Sequence, residues 1–548
     1  MVKNPSDHGT TRWLALHGAA LLTVFCIATA LVGGVTASVT GFQVGYLSGF
    51  AGYGLILLSL RRRATPITSR EWALWIALCL LLRVPLIPLA PSDDVHRYIW
   101  EGLVQNAGFN PYTIPPDDPR LAGIDDALRA RVNHPHFPAI YPPLAQLTFR
   151  AAAAISPTPL CFKLMHVAWD MITVLLLPGA IANGRAASPF RPRMPRPWLA
   201  NSRPSHSTPT KEPAVCPRAL ALIYALCPLT LTAFALEGHV DSLMLMLLVA
   251  TLRLLPTEPR ASARAESPLS SEPPLRDHCS SPYSEPRASA RAKCRVPITP
   301  DSSENSPTLD YSGGIVQHDI AARTAITYAG HAGSTTAIRS RAVSAGALLG
   351  CAISAKAVVV LLLPWLAFRR PMIAAIALVS AALWHIPYRD SALAPFRNLA
   401  RFSQYGEAFS IAQLVRTTDT APQTIRLVGC TILAAAVGWS AIRSGNLALH
   451  AHRSLAALLF VSPIVHAWYW TWLVALAPFH RARWPLVAAA ACVLYYEAFR
   501  PLASGGAWQM PQWATATFWL VVSVFLAGKF LESAGCRPKN ENALNLGS

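Results

Sequence analysis

Two adjacent carboxylates, Asp93 and Asp94, open the stretch SDDVHRYIWEGLVQNAGFNPY (92–112), directly after the apolar run 72–90. Acids in the first turn of a helix complement its dipole, and Arg97 can pair with Asp93, Asp94 or Glu101 without any chemistry. Held together at a partly dry boundary, the same two acids raise the proton affinity of one member, which suits a group that accepts a proton. On these residues alone both roles stand open. Asp94, Arg97, Tyr98, Glu101 and Gln105 recur at i, i+3/i+4, while Val95, Ile99 and Leu103 form another face. Ser92 suits the N-cap, and Gly108 the C-terminal cap before Asn110-Pro111. The spacing predicts an amphipathic helix lying at a membrane surface. Downstream, NHPHFPAIYPPLAQ (133–146) crowds His134, His136 and Tyr141 at the same interface. Polar groups gathered at a membrane mouth form sites.

The elements that must position these residues are apolar. Of 548 residues 53% are hydrophobic and 14% charged, against roughly 25% charged in soluble chains. Apolar runs of about 18 residues or more recur and are continuous rather than alternating, which predicts an all-α polytopic bundle and excludes a barrel. The net charge of +19 is what basic cytoplasmic loops require. No nucleic-acid motif accompanies it, so no nucleic-acid partner is expected. The eleven cysteines include no CxxC and lie mostly in apolar runs, as buried unpaired thiols would. The first apolar segment lacks a cleavage site and is read as a helix.

Sidedness follows from the basic residues. Arg61-Arg62-Arg63 closes the second run and should be cytoplasmic; the run 72–90 then exits, leaving 91–140 outside. Spans are expected near 160–183, 219–236 and 240–255, with 141–156 re-entrant or interfacial. Residues 256–340 are Ser-, Pro- and Arg-rich and carry EPRASARA twice (258–265 and 285–292), as a disordered cytoplasmic insertion would. After it, 342–368 reads as two half-length pieces around Lys356. Further spans are expected near 371–387, 424–442, 453–467, 484–500 and 513–531, with 468–479 a short crossing. The total is about 12–14 membrane segments. The chain thus divides into an N-terminal membrane part (1–255) with its outer loop, the insertion, a C-terminal membrane part (341–531) and a cytoplasmic tail (532–548). Four polar clusters, 91–140, 237–241, 387–410 and 464–472, should meet on the outside.

The loop motifs 92–112 and 133–147 resemble the first extracytoplasmic loop of bacterial GT-C-type integral membrane glycosyltransferases, in particular α-mannosyltransferase-like members that use polyprenyl-phosphate-linked sugars. LEGHVDSLMLMLLVA (236–250), SAKAVVVLLLPWL (354–366) and SPIVHAWYWTWLVALAP (462–478) extend the resemblance, and the 256–340 insertion departs from it. The resemblance implies a hexosyl, in particular mannosyl, transfer from a polyprenyl-phosphate sugar to an envelope glycan or glycolipid acceptor, at the outer face of the bacterial inner membrane, with inversion. Such a reaction needs a base for the acceptor hydroxyl and positive groups for the phosphate. Asp93 or Asp94 fills the first role. Arg97, His239, Lys356, Arg401 and His466 are candidates for the second, and Tyr98, Glu101, His134, Tyr141, Asp241 and Trp468 for the rest of the substrate site. Lys356 in an apolar stretch is the most informative, because an unpaired cation there is costly. No metal motif occurs; the acid pair leaves room for a divalent cation, with no other cofactor expected. A transporter or lipid-linked-sugar flippase is the rival reading, favoured by the break at Lys356.

Overall fold

A computed structural model of the 548-residue chain describes residues 6–186, 216–255, 336–403, 408–415 and 422–533. Most of what is described belongs to one compact unit, Met1–Thr257 with Ser340–Ser548; the second unit, Glu258–Arg339, lies almost wholly outside the described residues, and with it the expected disordered insertion. Most of the expected tail lies outside them too.

The described residues are helical apart from loops and one isolated bridge between Ala408 and Ile464. Five helices are long and apolar enough to cross a bilayer: Gly9–Val32, Val39–Arg62, Pro159–Gly184, Gln423–Arg443 and Gln512–Phe530. A sixth span is available if Pro217–Ala225 and Pro228–Leu236, bent by 55°, count as one. The chain is therefore a helical multi-pass membrane protein. The other apolar runs form helices shorter than a span, such as Ala357–Arg369, Pro371–Leu383 and Leu447–Val461, and the higher crossing number expected from sequence rests on these.

The helices run between two unlike ends. One end carries arginines in last turns, Arg61 and Arg62, Arg369 and Arg443. There a Thr68–Glu71 capping box starts the helix α1 (Ser69–Arg83), and Arg63 binds the same Glu71 at 2.6 Å. At the opposite end the chain breaks into short helices: α2 (Asp93–Asn106), α3 (Pro143–Ile155), the turn before α4 (Asp241–Leu254), the break at Lys356, α5 (Ala394–Phe402) and the turn before α6 (Trp470–His480).

α2 begins as its sequence predicts, with Ser92 in extended N-cap geometry and Gly108 at φ +87° after its end. The expected side-chain cap is absent: Ser92 Oγ is buried without a partner, because the Ser92 N–H donates to Glu237 O and fixes the residue there. α3 is too short to span and packs along α2 at Gly102, where a Cβ would collide with the Phe149 carbonyl. Behind them, in a wholly buried cluster, Arg83 donates to Asp170 at 2.7 Å, and Tyr224 donates to the other oxygen at 2.7 Å. Lys163 donates to the Leu86 and Leu89 carbonyls, both at 2.9 Å, and so anchors the turn that delivers Asp93. The described cysteines are free, but Cys430 is exposed and Cys161 and Cys351 are half-buried, since these positions lie on outward or partly covered helix faces.

Candidate active site

The acid pair is presented by the first turn of α2 and tied to the following loop by Asn133. Its amide donates at 3.1 Å to Asp93 Oδ2 and at 3.1 Å to Asp94 Oδ1. The Tyr98 hydroxyl, one turn on, reaches Asp94 Oδ2 at 3.5 Å. The two acids then diverge. Asp93 stands exposed at the mouth, whereas Asp94 is half-buried against His239.

His239 is placed by a wide π-type turn, Thr232–Leu236, closed when its own N–H donates to Ala233 O. Gly238, at φ +78°, lets the chain pass between Val95 and Lys163, where a Cβ would lie 2.9 Å from the valine side chain. The buried imidazole then has Nδ1 3.4 Å from Asp94 and Nε2 3.2 Å from Glu237, ion-pair distances off the hydrogen-bond line. Its ring stacks on Trp468 at 3.6 Å, and Trp468 stacks on His466 at 4.3 Å. His466 Nδ1 lies 2.8 Å from the Tyr495 hydroxyl.

Lys356 sits where helix 336–355 gives way to the tighter Ala357–Leu362 turn. It donates to both oxygens of Asp241, at 2.8 and 2.7 Å, and lies 4.8 Å from the Tyr469 ring centre. Trp472 Nε1 also donates to Asp241, at 2.6 Å. Pairing is what makes this lysine tolerable in an apolar segment.

These environments separate the charges. Although Asp93 reaches the mouth, the protein around it displaces part of its water, and this with the neighbouring charge of Asp94 pushes it above the ordinary carboxylate range, against the opposing pull of Asn133 and His239. Burial also opposes charge on Asp94, but His239 and then His466 and Asn133 outweigh it, holding that carboxyl below the usual range. Burial disfavours the His239 cation, yet Asp94 and Glu237 raise it to about 9. Burial dominates at His466, lowered to about 3, so this ring is neutral at physiological pH.

Asp93, Asp94, Tyr98, His239, Asp241, Lys356, His466 and Trp468 thus form one connected set, joined by Tyr141, which meets Tyr98 edge-on at 5.1 Å. Arg97 and Glu101 do something else. Arg97 donates to Glu101 at 2.8 Å and to the carbonyls of Asn133, His134 and Phe137 at 3.0, 3.0 and 2.6 Å. With its guanidinium engaged by the loop, it is not placed to take a donor phosphate. Glu101 accepts in turn from Gln146 at 2.5 Å, which makes it part of the scaffold rather than of a substrate surface. His134, at φ +48°, packs on Phe402 of α5, and Arg401 is exposed beside that phenylalanine. Asn133, Glu237 and Tyr495 were not singled out by the sequence reading. Glu237 lies inside the LEGHVD motif, two residues from His239, and that proximity was the available signal.

Among the described residues no group of three or more His, Cys, Asp or Glu side chains is arranged to hold a metal ion; Asn133 points an N–H at each carboxylate, and an imidazolium faces Asp94. Comparison of the chain with protein-family models, with curated proteins and with solved structures returns no match.

Proposed function

We propose that this chain is an inverting membrane glycosyltransferase of GT-C-like architecture. It uses a polyprenyl-phosphate sugar, in particular mannose, and an envelope glycan or glycolipid acceptor. The observation that carries the reading is the split acid pair: one exposed carboxylate with raised proton affinity beside a partner held ionised by a buried imidazolium. A base that meets its substrate at an open mouth and a fixed charge behind it are what hydroxyl activation requires.

In this reading Asp93 takes the acceptor hydroxyl proton. The freed oxygen attacks the anomeric carbon as its bond to phosphate breaks, and polyprenyl phosphate leaves as an anion that needs no acid. A β-linked donor gives an α-linked product. Asp94 and His239 hold the charge balance, and the exposed Arg401 supplies positive charge toward the phosphate. The arginine-bearing end is cytoplasmic by the positive-inside rule. The site then faces the periplasm across the inner membrane, with the short helices completing about 12–14 segments.

The experiment is consumption of radiolabelled polyprenyl-phosphate mannose, glucose and galactose by membranes containing the protein. One donor should be consumed in an acceptor-dependent manner. Consumption of none would remove the reading. A flippase is favoured by one observation, the Lys356–Asp241 pair at a helix break. It predicts movement of intact lipid-linked sugar between leaflets with no new glycosidic bond.

A further inference from the structure

A second, separate site lies at the arginine-bearing end. There, Ala436 and Trp439 of the helix Pro422–Arg443, His452 and Arg453 of the helix Leu447–Val461, and His480 and Trp484 border an open cleft of about 450 Å³. That volume is within the range of small-ligand sites, roughly 300–1,000 Å³.

Its walls are mainly apolar, with Ala456 and Leu526 completing them, but its polar groups are specific. His452 is 6% exposed, and its buried Nδ1 has no hydrogen-bond partner. His480 Nε2 is likewise buried and unpartnered. Both atoms lie beneath the cleft surface, so the polar group that reaches the cleft is the neighbouring Arg453. Arg453 lies over the Trp439 ring at 4.9 Å, with one N–H directed to Ser444 Oγ at 3.2 Å. A guanidinium has five donors, leaving a fork that suits a phosphate. Beside the cleft, Trp439, Ile442 and Val524 are left exposed, which in a membrane protein means facing acyl chains.

We propose that this cleft binds an anionic glycerophospholipid, its phosphate at Arg453 and one acyl chain along Ala436, Ala456 and Leu526. The apolar walls distinguish a lipid from a soluble phosphate, and the Arg453 fork distinguishes an anionic lipid from a zwitterionic one. The site is independent of the acid pair at the other end and of the reaction proposed there.

The test is native mass spectrometry of the full-length protein in neutral detergent, offered phosphatidylglycerol or phosphatidylcholine with matched chains, or glycerol phosphate. Phosphatidylglycerol should be retained over phosphatidylcholine about fivefold, the weight of one basic residue near an anionic headgroup. Arg453→Gln should abolish that preference, Arg453→Lys should keep part of it, and Ala436→Trp, which fills the cleft, should lower retention of both lipids. Equal retention of the two lipids by the wild type, or an undiminished preference in Arg453→Gln, would overturn the proposal. So would displacement of the lipid by glycerol phosphate at equal concentration, which would identify a soluble anion as the ligand.

Discussion

One helix, α2, carries two polar regions, its first turn and its middle, that use the same residue types to opposite ends. Along its middle Arg97, Glu101 and Gln105 are buried and joined, with Gln146 of α3, by hydrogen bonds of 2.5–3.0 Å, with Tyr388 closing the set at 2.6 Å. At its first turn Asp93 and Asp94, with His239 packed against them, meet partners at 3.1–3.5 Å, and both nitrogens of His239 lie off the hydrogen-bond line. A satisfied network has nothing to offer a substrate and specifies structure. An under-satisfied one keeps lone pairs and charge for an incoming group. Charge alone therefore does not mark chemistry; the completeness of its pairing does.

The largest effect should come from the mouth. Asp93→Asn should lower sugar transfer by about 10³-fold, the weight of a general base, while thermal unfolding stays at the wild-type temperature. Glu101→Ala should do the reverse. It leaves Arg97 buried without its acid, a loss of about 3–5 kcal/mol, read as a lower midpoint in a detergent melt. Unchanged melting in Glu101→Ala would erase the distinction between the two regions.

A smaller effect concerns His239, which is raised to about 9. A raised histidine stabilises the fold fully below its unfolded value, and this contribution is lost as pH rises through the folded one. Transfer rate and melting temperature should therefore both decline as pH rises through about 9. In Glu237→Gln, which removes one of the two acids, the decline should move toward neutral pH. An alkaline limb that stays in place would separate Glu237 from His239. The smallest expected change is Asn133→Ala, a loss of about 1 kcal/mol for a hydrogen bond at a solvent-reachable position, seen as a rate reduction of several-fold without loss of expression.

Much of this was readable from local rules. The helix at 93–106, its glycine after the end and the acids in its first turn depend on neighbours in the chain. Lys356 announced itself because an unpaired cation in an apolar run is costly, and its partner Asp241 lay in another polar cluster already noted. Arg97 has partners that spacing alone does not show. Its spacing puts it on the face with Asp94, but its long side chain reaches back to three loop carbonyls, and reach is not encoded in periodicity. Tyr495 joins His466 only through packing across 29 residues, and the Arg83–Asp170 pair only across 87. Such pairings belong to the tertiary fold.

The central claim is that Asp93, with its raised proton affinity, is the base. The direct test is the pH dependence of kcat/KM for transfer of labelled sugar, in the wild type and in Asp93→Asn. An Asp93 base must be ionised, so the wild-type value should fall on the acid side at a pH above that of an ordinary aspartate, and Asp93→Asn should be slow and lack that limb. An acid limb at or below the ordinary aspartate range, or an Asp93→Asn protein working at the wild-type rate, would contradict the account.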